Sequence, residues 1–553
     1  MRLTCRWDLP FLAVLISLLA LCVAFPVIAS NQTDEAAIDT AIQALNVKRF
    51  RDKAQAVEDL LLLNFPRTRA ILQAFLTNKL YYRKSDQRVI IIEQTDEGYN
   101  AHDAYSKLDY GQLQKNQIKK IKTNNKLRKM LRVSIAKLSL YHPDESVRQQ
   151  AVREMLKDVS ADDIDIFQKR LSTETSTDIK SDLKIGIALI EIESESSHHI
   201  KRMDAISTLS QSLLPIALAK LEALVAQEED GTPIVKDAAI RNAAQRAINN
   251  IKSKTDFYNI LETLFFGISL GSVLLLAAIG LAITFGVMGV INMAHGELIM
   301  IGAYTTYVVQ LLMPNTIEWS LAVAIPAAFI VAGLFGILIE RTVIRFLYGR
   351  PLETLLATFG ISLILQQMVR SIFSPLNRSV ETPSWMSGAW QINDALSLTF
   401  NRLYIIIFSL LVFITLLTTL KKTNLGLQVR AVSQNRSMAK ALGIRSDWVD
   451  LLTFGLGSGI AGVAGVALSQ LTNVGPNLGQ AYIIDSFMVV VFGGVGNLWG
   501  TLVGALSLGV VNKFLEPWSG AVLAKIILLI FIILFIQKRP KGLFPQKGRA
   551  AGN

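Results

Sequence analysis

The residues with most chemistry to offer sit where the chain has least charge. Residues 286–297 read Gly-Val-Met-Gly-Val-Ile-Asn-Met-Ala-His-Gly-Glu, so glycines bracket Asn292, His295 and Glu297 inside an otherwise apolar stretch. Hydrocarbon offers no partner to an open backbone or a carboxylate. These three side chains are therefore expected to face protein, a water-filled path or the membrane interface. A second interruption, Phe492-Gly493-Gly494-Val495-Gly496-Asn497-Leu498-Trp499-Gly500, comes late in the chain. Paired interrupted apolar segments point to a transport path, and Asn292, His295, Glu297, Gly493, Gly494 and Asn497 are the candidates for lining it. The same glycines read equally well as points of close helix packing.

A third stretch, Asn424 to Asp450, is basic and amphipathic. Met438, Ala441 and Leu442 fall on one side of a short helix, Arg436 and Lys440 lie beside them, and Gly443 ends it. Such a helix suits docking into a groove on another protein, or it is an inert connector. Arg430, Ala431, Arg436, Met438, Ala439, Leu442 and Gly443 are the candidate coupling residues.

Other chemistry is absent from the sequence. No Gly-x-x-x-x-Gly-Lys-[Ser/Thr] occurs, so no P-loop cradles nucleotide phosphates, and no catalytic residues are assigned. The only cysteines, Cys5 and Cys22, lie at the extreme N-terminus, which excludes a disulfide scaffold or a thiolate metal site in the remainder. His198 and His199, near Glu191, Glu193 and Glu195, would point to different faces of a helix, so they read as a polar turn and no metal is assigned. No cofactor is implied.

These residues must be positioned by two dissimilar parts. The 553-residue chain has 56 Lys plus Arg against 44 Asp plus Glu, a net charge of +12 and 51% hydrophobic residues. Charged side chains thin out after about residue 255, which excludes a single soluble domain. The basic excess follows membrane topology and not a nucleic-acid groove. Arg2 and Arg6, the apolar run Pro10 to Ala24 and the small residues of Val27-Ile28-Ala29 read as a signal peptide over 1–29; the alternative is a retained anchor helix. Residues 30–255 are then exported. They read as successive short helices, including Glu145 to Asp158, Asp178 to Ile192, Ile200 to Leu213 and Lys236 to Ile251, in the manner of HEAT-type repeats. The expected fold class is all-α: an exported helical domain followed by a polytopic helical membrane bundle.

Apolar spans are expected near 260–286, 296–313, 317–340, 354–374, 402–420 and 450–470, then a glycine-broken group over 482–537, making eight to ten crossings in lipid. Lys and Arg concentrate at 341–350, 421–445 and 538–549, which should be cytoplasmic. A cytoplasmic tail at 547–553 requires three crossings after residue 470.

The membrane half, 256–546, resembles the permease subunits of the branched-chain amino-acid and urea class of ABC importers. Four segments carry the resemblance: Asn292-Met293-Ala294-His295-Gly296-Glu297, Arg430-Ala431 through Leu442-Gly443-Ile444, Val491 through Asn497, and Arg539-Pro540-Lys541-Gly542-Leu543-Phe544. The resemblance implies an inner-membrane transport subunit, not an enzyme, coupled through 424–450 to a separate ATPase. It also implies a second related permease subunit, two ATPase subunits and an exported solute-binding protein. The long exported extension is similar to that of the urea permeases, so urea is the expected substrate, with branched-chain amino acids the alternative; a passive channel is the rival mechanism.

Overall fold

A computed structural model describes residues 35–63, 65–95, 98–193 and 199–544. The signal peptide, the 547–553 tail, Cys5, Cys22, Glu195 and His198 lie outside the described residues. The chain divides into two compact units, one through Lys252 and the other from Ser253.

The first unit is not all-α. Helices over 35–44 (α1), Phe50–Leu62 (α2) and Thr68–Leu76 (α3) precede strands Leu80–Arg83 (β1), Val89–Thr95 (β2), Gly98–Asp103 (β3), Asp109–Leu113 (β4) and Ile118–Lys120 (β5). The strands form one antiparallel sheet in the order β4-β3-β2-β1-β5. The β-branched run Val89-Ile90-Ile91-Ile92 explains the centre of this sheet, since such side chains suit a pleated surface. Alternation then sends Ile90 and Ile92 to one face, where they pack with Ala101 and Ile118, and Val89 to the other.

Short helices follow: Asn125–Ser139 (α4), Glu145–Leu156 (α5), Ile164–Thr173 (α6), Thr177–Glu193 (α7), His199–Leu209 (α8) and Pro215–Val225 (α9). Side chains fix several starts. Asn124 caps α4 by accepting the Leu127 N–H at 2.8 Å, and Asp144 caps α5 by accepting that of Ser146 at 2.8 Å. The buried Glu174 carboxylate ties the α6–α7 turn to α5, accepting from Arg148 Nε and Nη2 at 3.1 and 3.0 Å and from Arg170 Nε at 3.0 Å. Burial pushes this carboxyl up, but the two guanidiniums and the Thr175 and Ser176 N–H groups outweigh it and hold its pKa well below the usual carboxylate range. His199 pairs with Asp237 and Glu193 with Lys220.

Ala238–Met288 (α10) gives its polar beginning to the first unit and its apolar remainder to the second. The second unit continues with His295–Leu312 (α11), Ile317–Thr342 (α12), Pro351–Phe373 (α13), a hairpin of Ala389–Asn393 (β6) and Leu396–Thr399 (β7), and Phe400–Lys422 (α14). Asn424–Gln434 (α15), Arg436–Ala441 (α16), Ser446–Ser469 (α17), Leu478–Gly493 (α18) and Leu498–Lys538 (α19) complete it. Among the described residues α10, α12, α13, α14, α17 and α19 are long and apolar enough to cross a membrane.

Burial ranks these helices. α17 is enclosed along most of its length by α11 and α12, whereas α14 and α19 present Leu, Ile and Phe outward, as lipid-facing helices do. At about 1.5 Å per residue, 41 residues of α19 exceed a hydrocarbon core of about 30 Å roughly twofold. Gly520, at φ 75° just after Pro517, resolves this by breaking α19 into two helical segments.

Candidate functional site

The first interruption is a doubling-back of the chain. His295 Nε2 lies 2.9 Å from the Ala277 carbonyl of α10, so Nε2 carries the ring proton and Nδ1 is left as an acceptor. Yet α10 runs on from Ala277 to Met288, about 16 Å of helix. Residues 289–294 must therefore retrace that distance beside α10, and α11 begins deep inside the bundle. Asn292 steadies the turn, its Oδ1 accepting the Ala294 N–H at 3.0 Å, and the Met293 N–H donates to Thr358 Oγ1 at 3.1 Å.

Glu297 faces α13. Its Oε1 accepts from Ser362 Oγ at 2.9 Å and from Gln366 Nε2 at 2.7 Å. These partners belong to a ladder of polar residues spaced four apart along α13, Thr354, Thr358, Ser362, Gln366 and Arg370. Arg370 extends the ladder to Asn477, the residue preceding α18, at 2.8 Å. Sequence reading missed this stripe, although its strict spacing was visible in the chain.

The start of α18 meets the start of α11. A Cβ on Gly296 would lie 2.7 Å from the Gly479 carbonyl oxygen, so only glycine permits this approach. From there α18 runs beside the last turns of α10, where Phe487 stacks on Phe285. Beside the junction lies a cavity of about 140 Å³ lined by Leu281, Ile291, Met293, Ile483, Ile484 and Phe487, with Asn292 the single polar residue.

Asn292, His295 and Glu297 are 1%, 0% and 1% exposed, and each keeps one polar atom without a hydrogen-bond partner: Nδ2, Nδ1 and Oε2. Buried polar atoms are seldom left this way. Three such atoms fall within six residues.

Gly493, Gly494 and Asn497 lie elsewhere. They form the turn between α18 and α19, where Asn497 caps α19 by accepting the Trp499 and Gly500 N–H groups at 3.1 and 3.2 Å and donates to the Phe544 carbonyl at 3.2 Å. Leu543 and Phe544 in turn donate to the carbonyls of Phe492 and Gly493. This turn faces a groove of about 750 Å³ that also takes in Gly286, Val429 and Arg430.

The 424–450 connection is two helices. Asn435 interrupts them in an extended conformation and caps α16 by accepting the Met438 N–H at 3.0 Å. Met438 and Leu442 point outward, 59% and 75% exposed, whereas Ala439 is buried at 2%. Arg430 donates to the Leu420 carbonyl, and Gly443 closes the second helix by donating to that of Lys440. Ala431 is half-buried on α15. Arg436 turns inward and pairs with Asp450.

Residues 263–536 match the sequence family described as branched-chain amino acid transport system, permease component. The high-affinity branched-chain amino acid transport system permease protein LivH of Salmonella typhimurium is 32% identical over 297 residues, 52% of this chain and 96% of that protein. The chain belongs to this permease family. BraD of Pseudomonas aeruginosa, a permease protein of the same description, is 30% identical over 298 residues, 52% of this chain and 96% of BraD. The probable branched-chain amino acid transport permease protein LivH of Methanocaldococcus jannaschii is 26% identical over 286 residues, 49% and 88% respectively. No solved structure matches. As a member of this family the permease is a transport subunit and not an enzyme. These relatives are permeases named for branched-chain amino acids, which leaves the expectation of urea without support.

Proposed function

We propose that this permease is the membrane-spanning subunit of an ATP-driven importer of branched-chain amino acids. The observation that carries the substrate is the cavity at the α11–α18 junction. A partly open pocket of about 140 Å³ between leucine, isoleucine, methionine and phenylalanine side chains offers a branched aliphatic group apolar contact. Urea has no such group and would leave that surface unpaired. Asn292, the polar residue of its lining, holds an unpartnered Nδ2 donor for the polar end of an amino acid.

Energy comes from a separate ATPase docking on the exposed Met438 and Leu442. A second related permease subunit and an exported solute-binding protein complete the assembly. In this reading the N-terminal signal directs the first unit, whose short helices fit HEAT-type packing, to the outer side. Nine crossings, namely α10–α14, α17, α18 and the two segments of α19, then bring the C-terminus to the cytoplasm. Trp319, Trp385, Trp390 and Trp518, all exposed, fall on the outer side in this topology, and Trp448 and Trp499 on the inner, which agrees with aromatic belts at both interfaces.

Uptake by proteoliposomes containing both permeases, the ATPase and the binding protein tests the proposal. Labelled leucine should enter only with ATP, and urea should not. Urea uptake in place of leucine overturns the substrate, and leucine flux without ATP favours a passive channel.

A further inference from the structure

Arg436 was expected on the docking surface, yet it is engaged within the bundle. It opens α16, and its guanidinium lies 3.8 Å from the centre of the Tyr348 ring, in the turn between α12 and α13. The same guanidinium pairs through Nη2 with Asp450 in the second turn of α17, leaving its side chain only 20% exposed and that of Asp450 7%. One cation thus joins three elements: the connecting helix, the α12–α13 turn and the most enclosed span.

We propose that Arg436, Tyr348 and Asp450 form a pin that transmits ATPase movement from α16 to α17, and so positions the substrate path without touching substrate. The inference rests on the importer reading above and deepens it. A planar guanidinium can stack and pair at once, which lysine cannot reproduce. The pair is also incomplete, because Arg436 Nη1 and Asp450 Oδ1 have no hydrogen-bond partners. A single-ended contact of this kind can pivot without losing its charge partner, whereas removing either charge strands the other in a poorly solvated place.

Beyond Asp450, α17 is a rigid lever. It packs along α11 and α12, so a shift of its beginning is carried toward Glu297 and the ladder on α13. The exposed Met438 and Leu442 remain free for docking. The division of labour follows: outward side chains hold the partner, and the inward arginine passes the motion on.

Charge reversal tests the pin in the full transporter. Arg436→Asp and Asp450→Arg should each still co-purify with the ATPase while ATP-driven leucine uptake falls about tenfold, the size expected for coupling lost along one network. The double reversal should restore much of the uptake. Tyr348→Phe, which keeps the ring, should transport like wild type, and Tyr348→Leu should lose several-fold while leaving the ion pair intact. Because the tyrosine variants keep both charges, they decide the matter even if the single reversals fail to fold. Wild-type uptake in Tyr348→Leu overturns the pin, as does wild-type uptake in both single reversals. So does loss of ATPase co-purification in Arg436→Asp that Asp450→Arg fails to rescue. No uptake by the wild-type complex would overturn the importer reading itself.

Discussion

Glu297 keeps a carboxylate among apolar helices with two donors on one oxygen and none on the other. Its neutral isostere tests whether the charge or only the hydrogen bonds matter. Glu297→Gln should assemble normally but raise the KM for leucine uptake by tenfold or so, the scale of one lost charge-assisted contact; an unchanged KM would make Glu297 purely structural. At the opposite extreme stands Glu174, whose every interaction is internal. Its depressed pKa means that the stabilisation it gives is present above the ordinary carboxylate range, near pH 4.3, and lost as pH falls through its lower folded value. Glu174→Gln should cost the first unit about 3 kcal/mol at neutral pH by stranding buried Arg148. It should also flatten the acid limb of the unfolding curve, read by thermal melts from pH 7 to 3. Asn292, His295 and Glu297 were legible because polar residues in an apolar run must have a reason to be there. Ser362 and Gln366 showed only as a four-residue spacing, and their partner across the bundle, Glu297, gives that spacing its meaning.

The elements show where local pattern suffices and where it does not. The expected spans near 317–340, 402–420 and 450–470 correspond to α12, α14 and α17 within a few residues, because an apolar run of that length has one stable form in lipid. The five-stranded sheet escaped notice because its strands are short and separated by turns of charged residues that also suit helix termini. The β-branched run at Val89 and the Gly98 that opens β3 were the available signals. The short helix expected to end at Gly443 corresponds to α16, and a second helix, α15, precedes it; Asn435 between them caps α16 from an extended backbone. Two substitutions follow at this scale. Leu442→Glu should abolish ATPase co-purification without changing the permease's own melting temperature, since the side chain is exposed. Gly296→Leu should lower the folded yield sharply, because the new side chain would enter the Gly479 backbone; gel filtration of detergent-extracted protein reads this directly.

On the scale of the molecule, the chain divides into two compact units between Lys252 and Ser253. The family match begins at residue 263, and LivH is covered almost end to end without the first unit. Transport should therefore survive its removal. A chain starting within α10 upstream of residue 255 should support ATP-driven leucine uptake at a rate close to that of the full chain, and a complete loss would assign the first unit a direct part in transport. The substrate expectation was drawn at this same scale. The long extension pointed it toward urea, which relatives named for branched-chain amino acids leave without support, and the apolar pocket behind the aliphatic proposal is assembled from residues some two hundred positions apart, Leu281 to Phe487.

The spacing of the ladder on α13 also constrains chain length. One residue inserted between Pro351 and Ser362 would rotate everything beyond it about 100° around the helix axis. Gln366 and Arg370 would then swing away from Glu297 and Asn477, and Leu365 and Val369 would take their places in the seam. The same insertion in the hairpin after α13 would disturb neither. Segments of equal length in this bundle thus differ in whether they tolerate growth, and α13 is one that does not.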